Sequence, residues 1–153
     1  MNNIIVEMDT RNQKDNYVTD YFDKHGIKWI RNKLYSGDVK LLNDTKVIID
    51  LKANLEEISR NLCNSQEHAR IHRELDRSRE IGCEQFIFLI KEDKIKTIED
   101  LQNWTSKRTK VKGEVLLKIF KTMSQKYNVR FMIVPKNKMG ETIIKLLGAI
   151  ERN

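Results

Sequence analysis

Residues 85–90 (QFIFLI) form a continuous apolar run of strand length, and Val47-Ile48-Ile49 and Val129–Val134 are similarly apolar or strand-like. Runs of this kind belong to strands covered on both faces, as in sheets with helices packed above and below. Between them, apolar residues recur at helical spacing. Leu55, Ile58 and Leu62 form one set, Val115, Leu116, Ile119, Phe120 and Met123 a second, and Ile143, Ile144, Leu147 and Ile150 a third. Strands interleaved with helices, plus one hairpin, predict an α/β fold with a mixed β-sheet flanked by helices. At 153 residues the chain reads as one domain, 1–153, able to bury roughly two-thirds of the surface its unfolded form would expose.

Local signals set the expected boundaries. Ile4–Met8 reads as a buried strand. A helix from Asp15, as N-cap, to about His25 ends at Gly26, and Ile27–Asn32 is the next strand. Val39–Leu42 and Lys46–Leu51 predict a hairpin turning at Asn43-Asp44-Thr45. Asn54 followed by Glu57 resembles a capping box that opens a helix. A further helix is expected over about Ala69 to Ile81, stopped by Gly82, and a polar segment runs through Trp104 to Lys112.

Composition narrows the function classes. No apolar run approaches the roughly 18 residues of a membrane span, and the start, MNNIIVEMDT, lacks a basic region followed by an apolar stretch. Cys63 and Cys83 make no CxxC and no disulfide framework, so an intracellular soluble domain is expected, with both thiols half-buried. Residues 1–90 hold 14 Lys/Arg against 15 Asp/Glu, whereas 91–153 hold 15 against 7. Within 105–138, ten basic residues face one acid, Glu114. Such a stretch is either a solvated helix face or a surface for a polyanion, where each phosphate neutralised releases condensed counterions. Lys107, Arg108, Lys110 and Lys112 are the candidate DNA-binding residues.

Chemistry concentrates in Gly37-Asp38 and, after eleven intervening residues, Asp50-Leu51-Lys52. On a strand, Asp50 and Lys52 point to the same face, and the hairpin folds Asp38 back beside Asp50. Two carboxylates and an ammonium at one sheet edge suit Mg²⁺ or Mn²⁺, which takes hard oxygen ligands and leaves room for a substrate phosphate. The implied chemistry is metal-assisted phosphodiester hydrolysis, with the lysine adding positive charge where the transition state grows negative. The spacing alone occurs in many unrelated chains. Its placement after Val47-Ile48-Ile49 is more informative, because an acid ending a buried strand is costly unless paired or metal-bound.

With these motifs in order, the sequence resembles the XPF-type endonuclease domain of the PD-(D/E)xK superfamily, in its short bacterial or phage version. Ile4-Ile5-Val6 leads to Asp9-Thr10-Arg11, as in that family's V-D-x-R-E-like strand end, and Gly37-Asp38-Val39 is similar to its G-D-Y element. Asp50-Leu51-Lys52 with Glu56 resembles E-R-K-x-x-x-D, and Arg70-Ile71-His72-Arg73-Glu74-Leu75 its R-x-x-x-E-L helix. The resemblance implies a restriction-endonuclease-like fold, with Asp38 and Asp50 as metal ligands, Lys52 as catalytic lysine and Asp9 as a further ligand. Arg11, Arg70 and Glu74 would support the site or the scissile phosphate, and Glu56 would act from one turn into the following helix. Asn12 and Leu51 depart from the pattern, and the loss of arginine at 51 could weaken substrate binding without touching the metal.

The resulting expectation is a Mg²⁺-dependent DNA endonuclease, acting as a homodimer on branched or structured DNA in recombination, replication or repair. Its expected setting is the cytoplasm of a bacterial or phage-infected cell, without a membrane role. The alternative is a catalytically silent scaffold that binds DNA or a protein. His68 and His72, four apart, have a spacing that can bind zinc but lack a third ligand, and Trp29 and Trp104 read as packing residues.

Overall fold

The computed structural model describes residues 4–11 and 14–152, with side chains in the last helix as far as Gly148. Asn12, and the side chain of Ile150, lie outside the described residues. In chain order the elements are β1 (Ile5–Asp9), α1 (Asn16–Lys24), β2 (Lys28–Asn32), β3 (Val39–Leu41) and β4 (Asp44–Lys52). Then come α2 (Leu55–Cys63), α3 (Ser65–Glu80), β5 (Gln85–Lys91), α4 (Gly113–Tyr127), β6 (Val129–Val134) and α5 (Met139–Arg152). The strands form one six-stranded sheet in the order β2-β1-β3-β4-β5-β6. β3 runs antiparallel to both β1 and β4, while β1–β2, β4–β5 and β5–β6 are parallel pairs. The mixed sheet flanked by helices is the architecture expected from the sequence.

The apolar runs are buried because alternate residues feed two different cores. Ile48, Phe86, Phe88, Ile90 and Phe131 meet Leu55, Ile58 and Leu62 of α2, Ile71 and Leu75 of α3, and Leu116, Phe120 and Met123 of α4. Phe131 stacks between Phe120 and Phe88, with ring centroids at 4.0 and 5.0 Å. On the other face Ile49, Leu51, Ile87 and Leu89 meet Val18 and Phe22 of α1 and Met139, Ile143 and Leu147 of α5. Each such side chain contributes about 1.5–3 kcal/mol by leaving water.

Several boundaries differ from expectation for identifiable reasons. Asp15 precedes α1 but makes no side-chain cap, because its carboxylate is held by both terminal nitrogens of Arg31 at 2.7 and 3.1 Å. The hairpin turns at Leu42-Asn43, with Asn43 at φ +64°, so Asp44 already pairs with Leu41. Glu57 reaches the amide of Ala53, not that of Asn54, at 2.7 Å, while Asn54 caps the Glu57 amide at 2.9 Å. α3 starts at Ser65, capped by Asn64 through the Glu67 amide at 3.0 Å. That Asn64-x-x-Glu67 signal is the same as Asn54-x-x-Glu57, and reading it would have moved the helix start. The polar stretch before α4 contains a 3₁₀ turn, Glu99–Asn103, and a bridge between Thr105 and Lys112. Cys63 is exposed at the end of α2, not half-buried, whereas Cys83 is partly covered.

Candidate active site

Strand direction brings the candidate residues to one end of the sheet. β1 and β4 are parallel, each antiparallel to β3, so Asp9 at the end of β1 and Asp50-Leu51-Lys52 at the end of β4 lie beside Asp38 at the start of β3. The backbone locks this junction: the Asp9 amide donates to the Asp38 carbonyl at 2.8 Å, and the Asp38 amide to that of Ile49 at 2.9 Å. Gly37 makes the approach possible. Its φ is +74°, and a Cβ there would sit 2.3 Å from the Cγ2 of Ile48 and 3.2 Å from the Ile49 carbonyl oxygen.

Asp38 and Asp50 touch. An Asp38 oxygen accepts from the Leu51 amide at 2.7 Å. Burial, followed by the charge and hydrogen bond of Asp50, pushes the Asp38 carboxyl well above its usual range, against the pull of that amide. Lys52 Nζ lies 3.0 Å from Asp50 Oδ2, yet this buried oxygen has no well-directed hydrogen bond among the described residues. Burial opposes the charge on Lys52, but Asp50 outweighs it and holds the ammonium above its ordinary pKa. Glu74 of α3 accepts from the Gly37 amide at 3.0 Å and is pushed up to about 6, first by burial and then by Asp50. Three carboxyl groups therefore share one ammonium.

Does this set fit a divalent metal? The donors are hard oxygens, one of them buried and unsatisfied, and the raised Asp38 carboxyl marks a deficit of positive charge. Asp38 and Asp50 could supply two ligands, with the remaining positions left to water or a phosphate, as Mg²⁺ requires. Among the described residues no group of three or more His, Cys, Asp or Glu is placed to hold a metal ion. Asp9 is engaged elsewhere: its carboxylate accepts from Arg11 at 2.9 and 3.3 Å and from the Leu34 amide at 2.9 Å.

The carboxylates open into a cleft of about 450 Å³. Asp9, Arg11, Asp38, Lys52, Arg70 and Glu74 line it, together with Glu57, Arg60, Arg73 and Arg77, to which the sequence reading gave no role in the site. Their signal was present, since Arg70, Arg73 or Glu74, and Arg77 follow the three-or-four spacing of one helix face. Arg70 and Arg73 have no hydrogen-bond or ion-pair partner among the described residues. Glu56 does not line the cleft. Despite partial burial, the Ser106 hydroxyl at 2.6 Å and the Lys107 amide at 2.8 Å hold its carboxylate below the ordinary range. Glu56 thus ties the 104–112 loop to α2, while its neighbour Glu57 lines the cleft. Lys107, Arg108, Lys110 and Lys112 are exposed on that loop, outside the cleft. Leu51 is buried in the α1–α5 core, so a side chain at 51 points away from the Asp50 face.

The two histidines lie apart from this cleft, with His68 Nε2 2.8 Å from His72 Nε2 and His68 Nδ1 2.8 Å from the Leu62 carbonyl oxygen. Trp104 packs against the α2–α4 core and Trp29 against the other, as expected of packing residues.

No protein-family model matches the sequence, and no curated protein matches it. Solved structures do. XPF from Aeropyrum pernix superposes with a TM-score of 0.69 at 17% identity, covering 97% of this chain and 66% of that one. XPF from the same organism in complex with DNA gives 0.66 at 18% identity, with the same coverage of 97% and 66%. The chain therefore spans just under two-thirds of the length of these structures. The XPF-type, restriction-endonuclease-like fold expected from the motifs is the fold observed.

Proposed function

We propose that this chain is a Mg²⁺- or Mn²⁺-dependent DNA endonuclease. The observation that carries the reading is the contact of Asp38, Asp50 and Lys52 at the floor of an arginine-lined cleft. The fold shared with XPF, one of whose structures is a complex with DNA, favours DNA as the polymer. Asp38 and Asp50 would hold the metal, which supplies Lewis acidity and lowers the pKa of a bound water.

The rest follows from the side chains. Lys52, kept charged by Asp50, orients the attacking water and offsets charge accumulating on the phosphate oxygens. Arg70 and Arg73, which have no partner among the described residues, are available to phosphates along the strand, as guanidinium groups suit them. Arg11 fixes Asp9 and so the end of β1. Branched or otherwise structured DNA as substrate, a role in recombination, replication or repair, and action as a homodimer are the finer parts of the proposal. No helix among the described residues is long and apolar enough to cross a membrane.

The test is cleavage of labelled single strand, duplex, flap, fork and four-way junction with Mg²⁺ or Mn²⁺, wild type beside Lys52→Ala. Metal-dependent cutting that the variant loses is the expected result. If neither protein cuts and both bind DNA equally, the scaffold reading replaces the nuclease. Light scattering on the free and DNA-bound protein tests the dimer, and a monomer in both states removes it.

A further inference from the structure

A second cationic cluster stands at the same end of the sheet, on its other face. On β5, Ile90 pairs with Lys52 of β4, so Lys91 follows directly at the edge of the site. Phe86, Phe88 and Ile90 face the α2–α4 core and Ile87 and Leu89 the α1–α5 core, so strand alternation turns Lys91 to the α1–α5 side. There its Nζ lies 4.5 Å from the ring centre of Tyr17, in the first turn of α1. The Nζ of Lys136, just beyond β6, lies 5.9 Å from the same ring. The Tyr17 hydroxyl is pushed up to about 12, first by burial and then by the charges of Asp15, Asp38 and Glu57. Asp38 and Glu57 both line the cleft, so this hydroxyl sits within the field of the site.

Two ammonium groups gathered on one ring repel each other, and no acid of the protein offsets them. The carboxylates that follow Lys91 are turned to backbone amides: Glu92 accepts from Leu55 at 3.4 Å and Asp93 from Lys136 at 3.0 Å. Among the described residues neither ammonium has a carboxylate partner and the Tyr17 hydroxyl has no hydrogen bond. Attraction to the ring face positions both lysines without neutralising them. Two charged donors and an unused phenol O–H match the acceptor oxygens of one phosphodiester. The carboxylates of β3 and β4 lie between this cluster and the arginines of α3, which pack on the opposite face of the sheet. We infer that Tyr17, Lys91 and Lys136 bind one backbone phosphate flanking the scissile one, on the side away from Arg70 and Arg73. The strand then crosses the end of the sheet from one helical layer to the other. This rests on the nuclease reading and adds the path of the substrate through the site.

The test measures binding in EDTA, where nothing is cut, over a range of salt on labelled duplex DNA. Wild type is compared with a glutamine pair (Lys91→Gln with Lys136→Gln), the corresponding arginine pair, and Tyr17→Phe. Lys24→Gln with Lys28→Gln, equal in charge but at the opposite end of the sheet, is the control. Loss of one phosphate contact should lower the slope of log affinity against log salt by about 1 in the glutamine pair. The arginine pair and the control keep the wild-type slope. Tyr17→Phe keeps the ring and loses a neutral donor, so binding should weaken about threefold at unchanged slope. On a substrate that wild type cuts, a neutral methylphosphonate at one link beside the cut should weaken wild type and leave the glutamine pair indifferent. An unchanged slope in the glutamine pair, a fall of about 2 from two separate phosphates, an equal fall in the control, or indifference of wild type to every flanking methylphosphonate overturns the inference. So does inorganic phosphate that raises the melting temperature of wild type alone while the DNA slope is unchanged, since the cluster then serves free phosphate. A wild type that cuts while the glutamine pair binds as tightly at every salt overturns the strand path and leaves the nuclease standing. A slope lowered in the glutamine pair, with no cutting by wild type in Mg²⁺ or Mn²⁺, keeps the phosphate contact and removes the nuclease. A wild type that binds no DNA overturns both.

Discussion

At the scale of the residue, the carboxylates around Lys52 set up a conflict between stability and function. Glu74 is pushed up to about 6 and Asp38 well above its usual range, so the folded protein holds protons that the unfolded chain releases at lower pH. A carboxyl raised in the folded state contributes stability below its unfolded pKa, and that contribution is lost as pH rises through the folded value. Without divalent metal, then, melting temperature should fall between about pH 4.5 and pH 7, Glu74 alone accounting for about 2 kcal/mol. Mg²⁺ or Mn²⁺ at a hundred times its Kd should restore about 2.7 kcal/mol at pH 7.5. Asp38→Asn removes one member of the conflict. It should raise the melting temperature in EDTA and abolish the metal-induced shift, and thermal melting with and without Mn²⁺ reads both. A variant that melts lower in EDTA and still responds to metal would contradict the assignment.

At the scale of the element, α2 divides two tasks between consecutive glutamates. Glu57 turns into the cleft, and Glu56 anchors the 104–112 loop through Ser106 and Lys107. The loop's other end is fixed where Gly113 packs so closely on the 3₁₀ turn that a Cβ would lie 1.6 Å from the Leu101 carbonyl oxygen. Glu56→Ala should therefore free only the middle of the loop. Hydrogen exchange at the Lys107 amide is expected to speed up at least tenfold while core strands β4 and β5 stay protected. Cleavage of a short substrate confined to the cleft should change less than twofold. A large loss of catalysis on that substrate would return Glu56 to the active site.

For the whole molecule, charge is arranged around one end of the sheet. The acidic floor is formed by β3 and β4, the inner wall by the arginines of α2 and α3, and the flank by lysines on the loop before α4. If Lys107, Arg108, Lys110 and Lys112 each meet a phosphate, replacing all four by alanine should reduce the slope of log affinity against log salt by about 3–4 for duplex DNA. The rate at saturating substrate should hold, because these residues lie outside the cleft. An unchanged slope would make the loop a solvated face.

Much of this architecture was legible in local chemistry. Apolar runs such as QFIFLI identified strands covered on both sides, and helical spacing identified the helices that cover them. The pairing of Asp38 with Asp50 and Lys52 followed from strand periodicity and a hairpin, both short-range properties. What the sequence did not reveal were contacts made across the fold. Asp15 looks like a helix cap until β2 delivers Arg31 to it, and Glu56 looks like a site residue until a loop fifty positions away claims its carboxylate. Whether Leu51 disturbs the cleft was equally undecidable until the sheet had two cores to choose between. The reason is the same in each case. Dihedral preference and hydrophobic period act within a few residues, so sequence alone determines elements and the strand face a side chain occupies. Which partner a charged group finds depends on long-range packing, and only the assembled sheet brings Asp9, Asp38, Asp50, Glu74 and the arginines of α3 to one end.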